Sequence, residues 1–177
     1  MLNKRRIQAL LNRLHPGETI PEGLGDEEIA AFTERTGVAV PSEVAELLRF
    51  MNGPYVGHKV LLGIIDHEYR GIEPIYQLYP YWKDRGWLPI GGDGCGNYYV
   101  VPTRGEFGPG YPVFFVDTMD DPDVPAYIVA SNVVRFVEFL ILNELGEIDW
   151  PWDKNEVLKK DPDILRYCRI PIPWELP

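Results

Sequence analysis

Glycine and proline decide most of what this chain can become: 17 of each are scattered through its 177 residues. Each proline blocks a helix interior and each glycine weakens one, so long regular elements have few places to form. The punctuation predicts many turns and short strands rather than a helix bundle. Helical patterning survives in a few windows only. From Asn3 to Leu14 the residues Ile7, Leu10, Leu11 and Leu14 repeat at i, i+3, i+4, i+7, and His15-Pro16-Gly17 ends the run. Asp26 to Thr36 forms a second helix, with Asp26, Glu27 and Glu28 at its positive end and Gly37 just past its other end. A third starts at Pro41 or Ser42, carries Val44, Leu47, Leu48 and Met51 on one face, and stops at Asn52-Gly53-Pro54, with Gly53 as its left-handed cap.

Beyond Gly53 the period changes. Val60–Ile65 reads as a buried strand, and Tyr69 to Trp87 as an irregular aromatic stretch. Leu88–Ile90 and Tyr98–Val101 read as strands joined by Gly91-Gly92-Asp93-Gly94-Cys95-Gly96-Asn97; Pro112–Asp117 and Pro125–Ala130 are joined by the acidic loop Thr118–Val124. Asn132 caps a helix whose Val133, Phe136, Val137, Leu140 and Ile141 share a face, with Gly146 beyond it. Helices first, strands next and a closing helix predict an α+β fold: a mainly antiparallel mixed sheet with N-terminal helices and a C-terminal helix packed against it. The expected organisation is one domain over 1–150, its motif-bearing core at 26–145. Residues 151–177 form a Pro- and Trp-rich C-terminal extension, with a short helix around Pro162–Cys168, expected to dock on the domain.

Charge and cysteine count narrow the function classes. With 17 Lys+Arg against 27 Asp+Glu the formal net charge is −10, which disfavours nucleic acid as a partner because phosphate affinity needs a basic surface. The basic cluster Lys4, Arg5, Arg6 and Arg13 reads as a solvated helix face. Two cysteines are too few for a secreted disulfide framework. The N-terminus has the charge of a signal peptide without its apolar region or cleavage site, and the longest apolar stretches, Tyr111–Val116 and Phe136–Leu142, fall far short of a membrane span. The expected location is the cytoplasm, with no membrane contact.

No catalytic set emerges from the residues. The glycine-rich loop lacks the lysine and hydroxyl of a phosphate-binding loop and precedes a strand, not a helix. Asp93 and Asn97 supply oxygens, yet the further ligands of a calcium loop are missing. We read the loop as a hairpin turn. Cys95 has no recognisable base among His15, His58 and His67, and no zinc spacing links cysteines to histidines. The expectation is therefore no catalytic residue, no metal and no cofactor.

Three segments carry a resemblance. Glu28–Pro41 followed by Leu47-Leu48-Arg49-Phe50-Met51-Asn52-Gly53 has a helix ending in glycine, a proline, and a helix closed by Asn-Gly. Trp87-Leu88-Pro89-Ile90-Gly91-Gly92-Asp93-Gly94-Cys95-Gly96-Asn97 is a Pro- and Gly-marked hairpin, and Pro112–Asp117 with Ile128–Asn132 and Phe136–Leu140 gives two strands and a helix. In this order they resemble the SMI1/KNR4 (SUKH) family. Val40 stands where leucine is usual, Cys95 where glycine is usual, and Asn132-Val133 where Ser-Phe is usual. The resemblance implies a non-enzymatic protein-binding module. For a bacterial member it implies an immunity protein that neutralises a toxin, often a nuclease, by direct binding; the alternative is a regulator with an endogenous partner, as in cell-wall synthesis or signalling. It also implies motif roles for Pro41, Asn52, Gly53, Gly92, Asp93, Gly94, Gly96 and Asn97.

An acidic inhibitor suits a basic toxin, since complementary fields speed association. Residues 101–150 hold nine acids against Arg104 and Arg135, most of the negative excess. Asp117, Asp120, Asp121 and Asp123 crowd one loop made rigid by Pro122 and Pro125, which makes this loop the candidate anionic rim. Aromatics of the 76–87 segment, Trp82 and Trp87 foremost, are the candidate exposed anchors.

Overall fold

The computed structural model describes residues 2–167 and 169–176. Three helices come first: α1 (Lys4–Leu14), α2 (Asp26–Thr36) and α3 (Ser42–Phe50). The Asn3 side chain accepts from the Arg6 N–H at the start of α1, and Gly37 takes φ +71° behind α2. Strands β1 (Tyr55–Val56) and β2 (Lys59–Leu61) form a tight hairpin. Helices α4 (Ile72–Leu78) and α5 (Pro80–Arg85) precede β3 (Trp87–Gly92), β4 (Tyr98–Pro102), β5 (Val113–Val116) and β6 (Tyr127–Ala130). Helix α6 (Val133–Glu144) and α7 (Lys154–Lys160) follow, with 3₁₀ turns at Pro162–Tyr167 and Pro173–Glu175. The six strands pair in chain order as an antiparallel meander. Among the described residues the one parallel bridge, Gly63 with Gly71, lies outside the strands; the expected α+β architecture holds, and its six-stranded sheet is antiparallel throughout.

Several elements differ from the sequence reading for physical reasons. The stretch from Tyr69 to Trp87 contains α4 and α5, each too short to display a helical period, and Pro80 restarts the helix at its first position. Helix α7 escapes notice for the same reason. Gly53 does not cap α3: extended Met51 ends that helix, and Gly53, at φ +70°, turns the chain two residues later. The buried strand expected over Val60–Ile65 pairs regularly only as far as Leu61. Pro162–Tyr167 is helical as 3₁₀, while Cys168 lies outside the described residues.

The sheet has helices on both faces, and residue alternation sorts side chains between them. One face carries a cross-strand row, Gly91–Tyr99–Phe115–Tyr127, set by strand register. Tyr99 meets Phe136 of α6 at 4.9 Å, and Phe115 stacks on Tyr127 at 4.9 Å. Gly91 heads this row because a Cβ there would stand 3.1 Å from the Phe136 ring. The other face carries Tyr98, whose ring meets Trp82 of α5 at 5.8 Å and Tyr79 at 5.9 Å.

Helix α6 is buried nearly all round: Phe136, Val137, Phe139, Leu140 and Ile141 have no exposed surface, and Leu142 and even Glu138 are buried. Its polar groups are paired. Glu138 accepts from Arg6 of α1 at 2.5 Å and from Arg135 at 3.2 Å. At the other end, Glu144 meets Lys59 at 2.5 Å and accepts from the His58 N–H at 2.8 Å. Burial pushes the Glu144 carboxyl up, but the hydrogen bonds from Lys59 and His58 outweigh it and hold the group below its ordinary value.

Residues beyond α6 lie along β6. The Trp150 indole N–H donates to the Val129 carbonyl at 3.0 Å, and the Ile128 N–H donates to Pro171 at 3.0 Å. Ile170 and Ile172 are buried, and the Asp161 carboxylate, 2% exposed, accepts from the Ser131 N–H and hydroxyl at 2.7 and 2.5 Å.

Two measurements test this account. Leu47→Ala and Phe136→Ala should each cost about 2–5 kcal/mol of unfolding free energy in denaturant titration. Glu144→Gln should cost about 1–3 kcal/mol at neutral pH, because it leaves the part-buried Lys59 ammonium without its counter-charge. The folded-state pKa of Glu144 is lowered, so its contribution is complete above the ordinary carboxylate range and disappears as pH falls through the lowered value. The stability gap between wild type and variant should therefore hold from pH 7 to about 5 and close under stronger acid.

Candidate functional site

A meander places alternate connections at the same end of the sheet, so the β1–β2, β3–β4 and β5–β6 connections lie side by side. The middle one is built by a single carboxylate. Asp93 Oδ1 accepts from the N–H groups of Cys95 (2.7 Å) and Asn97 (3.0 Å), while its Oδ2 accepts from the Asn97 side chain (2.9 Å). Gly94 and Gly96 take φ +85° and +101°, a backbone open to glycine at little cost. A Cβ on Gly94 would stand 2.6 Å from the His58 carbonyl, so this turn packs closely on the β1–β2 turn. On its other flank, Asn97 Oδ1 accepts from the Thr118 N–H at 3.1 Å, and the Thr118 hydroxyl donates to the Gly96 carbonyl at 2.9 Å. The three connections are thus one continuous surface.

The β5–β6 loop is ordered from within. Asp117 Oδ1 accepts from the Met119 N–H at 3.0 Å, and Asp121 Oδ1 accepts from the Asp123 N–H at 2.9 Å. Helix α5 holds the loop's back: the Trp82 indole donates to the Pro122 carbonyl at 2.8 Å, and Arg85 donates to the Asp123 carbonyl at 2.6 Å. Asp120, Asp121 and Asp123 are exposed and Asp117 is half-buried. Among the described residues none of these four carboxylates forms a salt bridge; Arg85, the cation at the back of the loop, meets a carbonyl rather than a carboxylate. Met119, 86% exposed, projects among them.

The expected exposed anchors are elsewhere. Trp82 has no exposed surface and Trp87 is buried, its indole donating to Glu106 at 2.6 Å. Both side chains fill the layer between α5 and the sheet, which an apolar area of that size favours. Trp82 therefore positions the acidic loop instead of touching a partner. The exposed aromatics at this end are Tyr55 and Tyr69, 53% and 68% exposed, which the sequence reading passed over. Neither sits in an apolar period or a motif, so only coordinates reveal them.

The motif residues have structural work. Pro41 is the N-cap of α3. The buried Asn52 side chain both accepts from the Ile64 N–H (2.9 Å) and donates to its carbonyl (3.2 Å), pairing like a piece of backbone. Gly92 ends β3 with Val60 against it. The exposed Cys95 is held through its N–H by Asp93. His15 accepts from the Gly57 N–H at 3.2 Å and His67 from the Tyr69 N–H at 3.2 Å. Among the described residues no group of three or more His, Cys, Asp or Glu is placed to hold a metal ion, and no helix is long and apolar enough to cross a membrane.

Helices on both faces of an antiparallel meander, closed by a buried C-terminal helix, give the α+β architecture of SMI1/KNR4-type proteins. The model of the SMI1 / KNR4 family (SUKH-1) matches residues 23–139, which takes in α2 through most of α6 and all three connections; the chain belongs to this family. The family includes immunity proteins, and its domains serve protein–protein interaction. No curated protein matches the chain.

The turn yields a direct test. Gly94→Val should lower the melting temperature and broaden the amide spectrum around His58, because both the positive φ and the His58 contact resist a side chain. Cys95→Ser should leave stability and binding unchanged; loss of an activity in a folded Cys95→Ser protein would return the thiol to consideration.

Proposed function

We propose that this protein is a cytoplasmic, non-enzymatic immunity protein that neutralises a bacterial toxin by binding it directly, with the β5–β6 loop as the anionic rim of the contact. The observation that carries this reading is the set of four aspartates held in an ordered loop, none of whose carboxylates forms a salt bridge among the described residues. Exposed and unpaired acids contribute little to folding, whereas a fixed array of them creates a field that steers a basic partner. A nuclease is the fitting class of toxin, because an enzyme that binds a polyanion presents a basic surface. Membership of a family that includes immunity proteins supports the same conclusion.

The test is coexpression and binding with the product of the neighbouring gene in the native genome. Protection from that protein's toxicity, with a complex of the two purified components, is the expected result. Within such a complex, Asp120→Lys, Asp121→Lys and Asp123→Lys together should slow association at least about tenfold at low salt and flatten its salt dependence, with little change in melting temperature. An unchanged association rate and salt slope would remove this loop from the interface.

A further inference from the structure

Beside the β3–β4 turn, on the flank away from the acidic loop, lies a cleft of about 260 Å³. Its walls are Tyr55, Tyr69, Tyr98 and His58, and glycines 92, 94 and 96 form much of its lining. Ligand pockets for small molecules run from roughly 300 to 1,000 Å³, so this cleft has room for one long side chain. Tyr55 and Tyr69 are the two tyrosines that the fold leaves most open, and they converge on this one cleft. Aromatic rings held open on a surface characterise contact hot spots.

The charge around the cleft selects its occupant. Glu68 precedes Tyr69 and Arg70 follows it, Asp66 stands three residues before it, and Asp93 lies in the adjoining turn; none of the three acids forms a salt bridge among the described residues. The nearby cations are already engaged: Lys59 pairs with Glu144, and the Arg70 guanidinium sits 5.2 Å from the Tyr55 ring centre while donating to the Gly53 carbonyl. The arginine of that internal contact lies outside the cleft's lining, and Tyr69, whose ring has no such cation over it among the described residues, offers the same kind of aromatic face within the cleft. A planar guanidinium stacks on aromatic rings and sheds water more easily than an ammonium.

We propose that the cleft between the β1–β2 and β3–β4 connections receives one arginine side chain of the partner, stacked on Tyr69. This rests on the partner-binding reading above and extends its interface from the acidic loop across Asn97 to the cleft.

The probe is the blocked peptide Gly-Gly-Arg-Gly-Gly, titrated into the full chain and followed by NMR, with otherwise identical citrulline and lysine peptides as comparisons. The arginine peptide should shift Tyr55, Tyr69, Gly94 and Gly96. The citrulline peptide, which lacks the charge, should leave them in place, and the lysine peptide should bind more weakly. Tyr69→Ala should weaken arginine-peptide binding about 2- to 5-fold and Tyr69→Phe should retain it, since the ring face is what the cation meets. Tyr69 is exposed, so both variants should melt with the wild type. Equal shifts from the citrulline or lysine peptide, or an arginine response outside the cleft, would overturn the assignment. If the cognate partner still binds in a manner sensitive to Asp120, Asp121 and Asp123, the cleft proposal fails alone; if no partner binds, the functional reading fails with it.

Discussion

A helix that is apolar on nearly every side must be covered on nearly every side, and α6 imposes that demand on the whole molecule. Its Phe136 ring packs on Tyr99 and lies close over Gly91, where a Cβ would crowd it at 3.1 Å, while α1 and α3 cover the opposite flank. Inside that packing Glu138 and Glu144 are tolerable because each has its cation in place. The Glu144 pair does a second job. It holds the β1–β2 turn to the end of α6, and Gly57, where a Cβ would collide with the Glu144 carboxylate, lets the turn come that close. The packing of the core thus sets the height of the first of the three connections that form the candidate site.

The sheet also has an edge to manage, since an unpaired strand invites pairing with another chain. Strand β6 is one of its two edges, and the segment around Pro171 accepts its Ile128 N–H while Ile170 and Ile172 bury their side chains. Prolines at 171 and 173 suit this position, because they cannot donate onward to a further strand. Asp161 secures the arrangement at the mouth of α6. Burial drives its carboxyl up and the two hydrogen bonds from Ser131 pull the other way, with burial the stronger influence.

The candidate site was legible in one half and hidden in the other. Asp117, Asp120, Asp121 and Asp123 are close neighbours in the chain, with Pro122 among them and Pro125 just beyond, so their placement on one loop is a local matter. The role of Trp82 and Trp87 was not local. Whether a tryptophan fills a core or faces solvent depends on what lies across from it, here the face of the sheet bearing Tyr98. Tyr55 and Tyr69 are the reverse case: unremarkable in sequence, they are left open because the turns around them have no layer above.

By itself the sequence determined the elements whose signal is contained within one element: the three early helices, the closing helix with its Asn132 cap, and the Asp93-centred turn. Caps, apolar periods and positive-φ glycines act over a few residues, so neighbours in sequence suffice to specify them. The tertiary structure decided the rest. It made helices of residues 72–78 and 80–85, which are too short to hold a period and form because their aromatics pack on the sheet. It buried α6 on both sides rather than one, and it brought Asn97 to Thr118 and Gly94 to His58, so that three separate turns became one surface. Those contacts join residues 21 and 36 positions apart, and register across strands, not pattern along them, sets which ones meet.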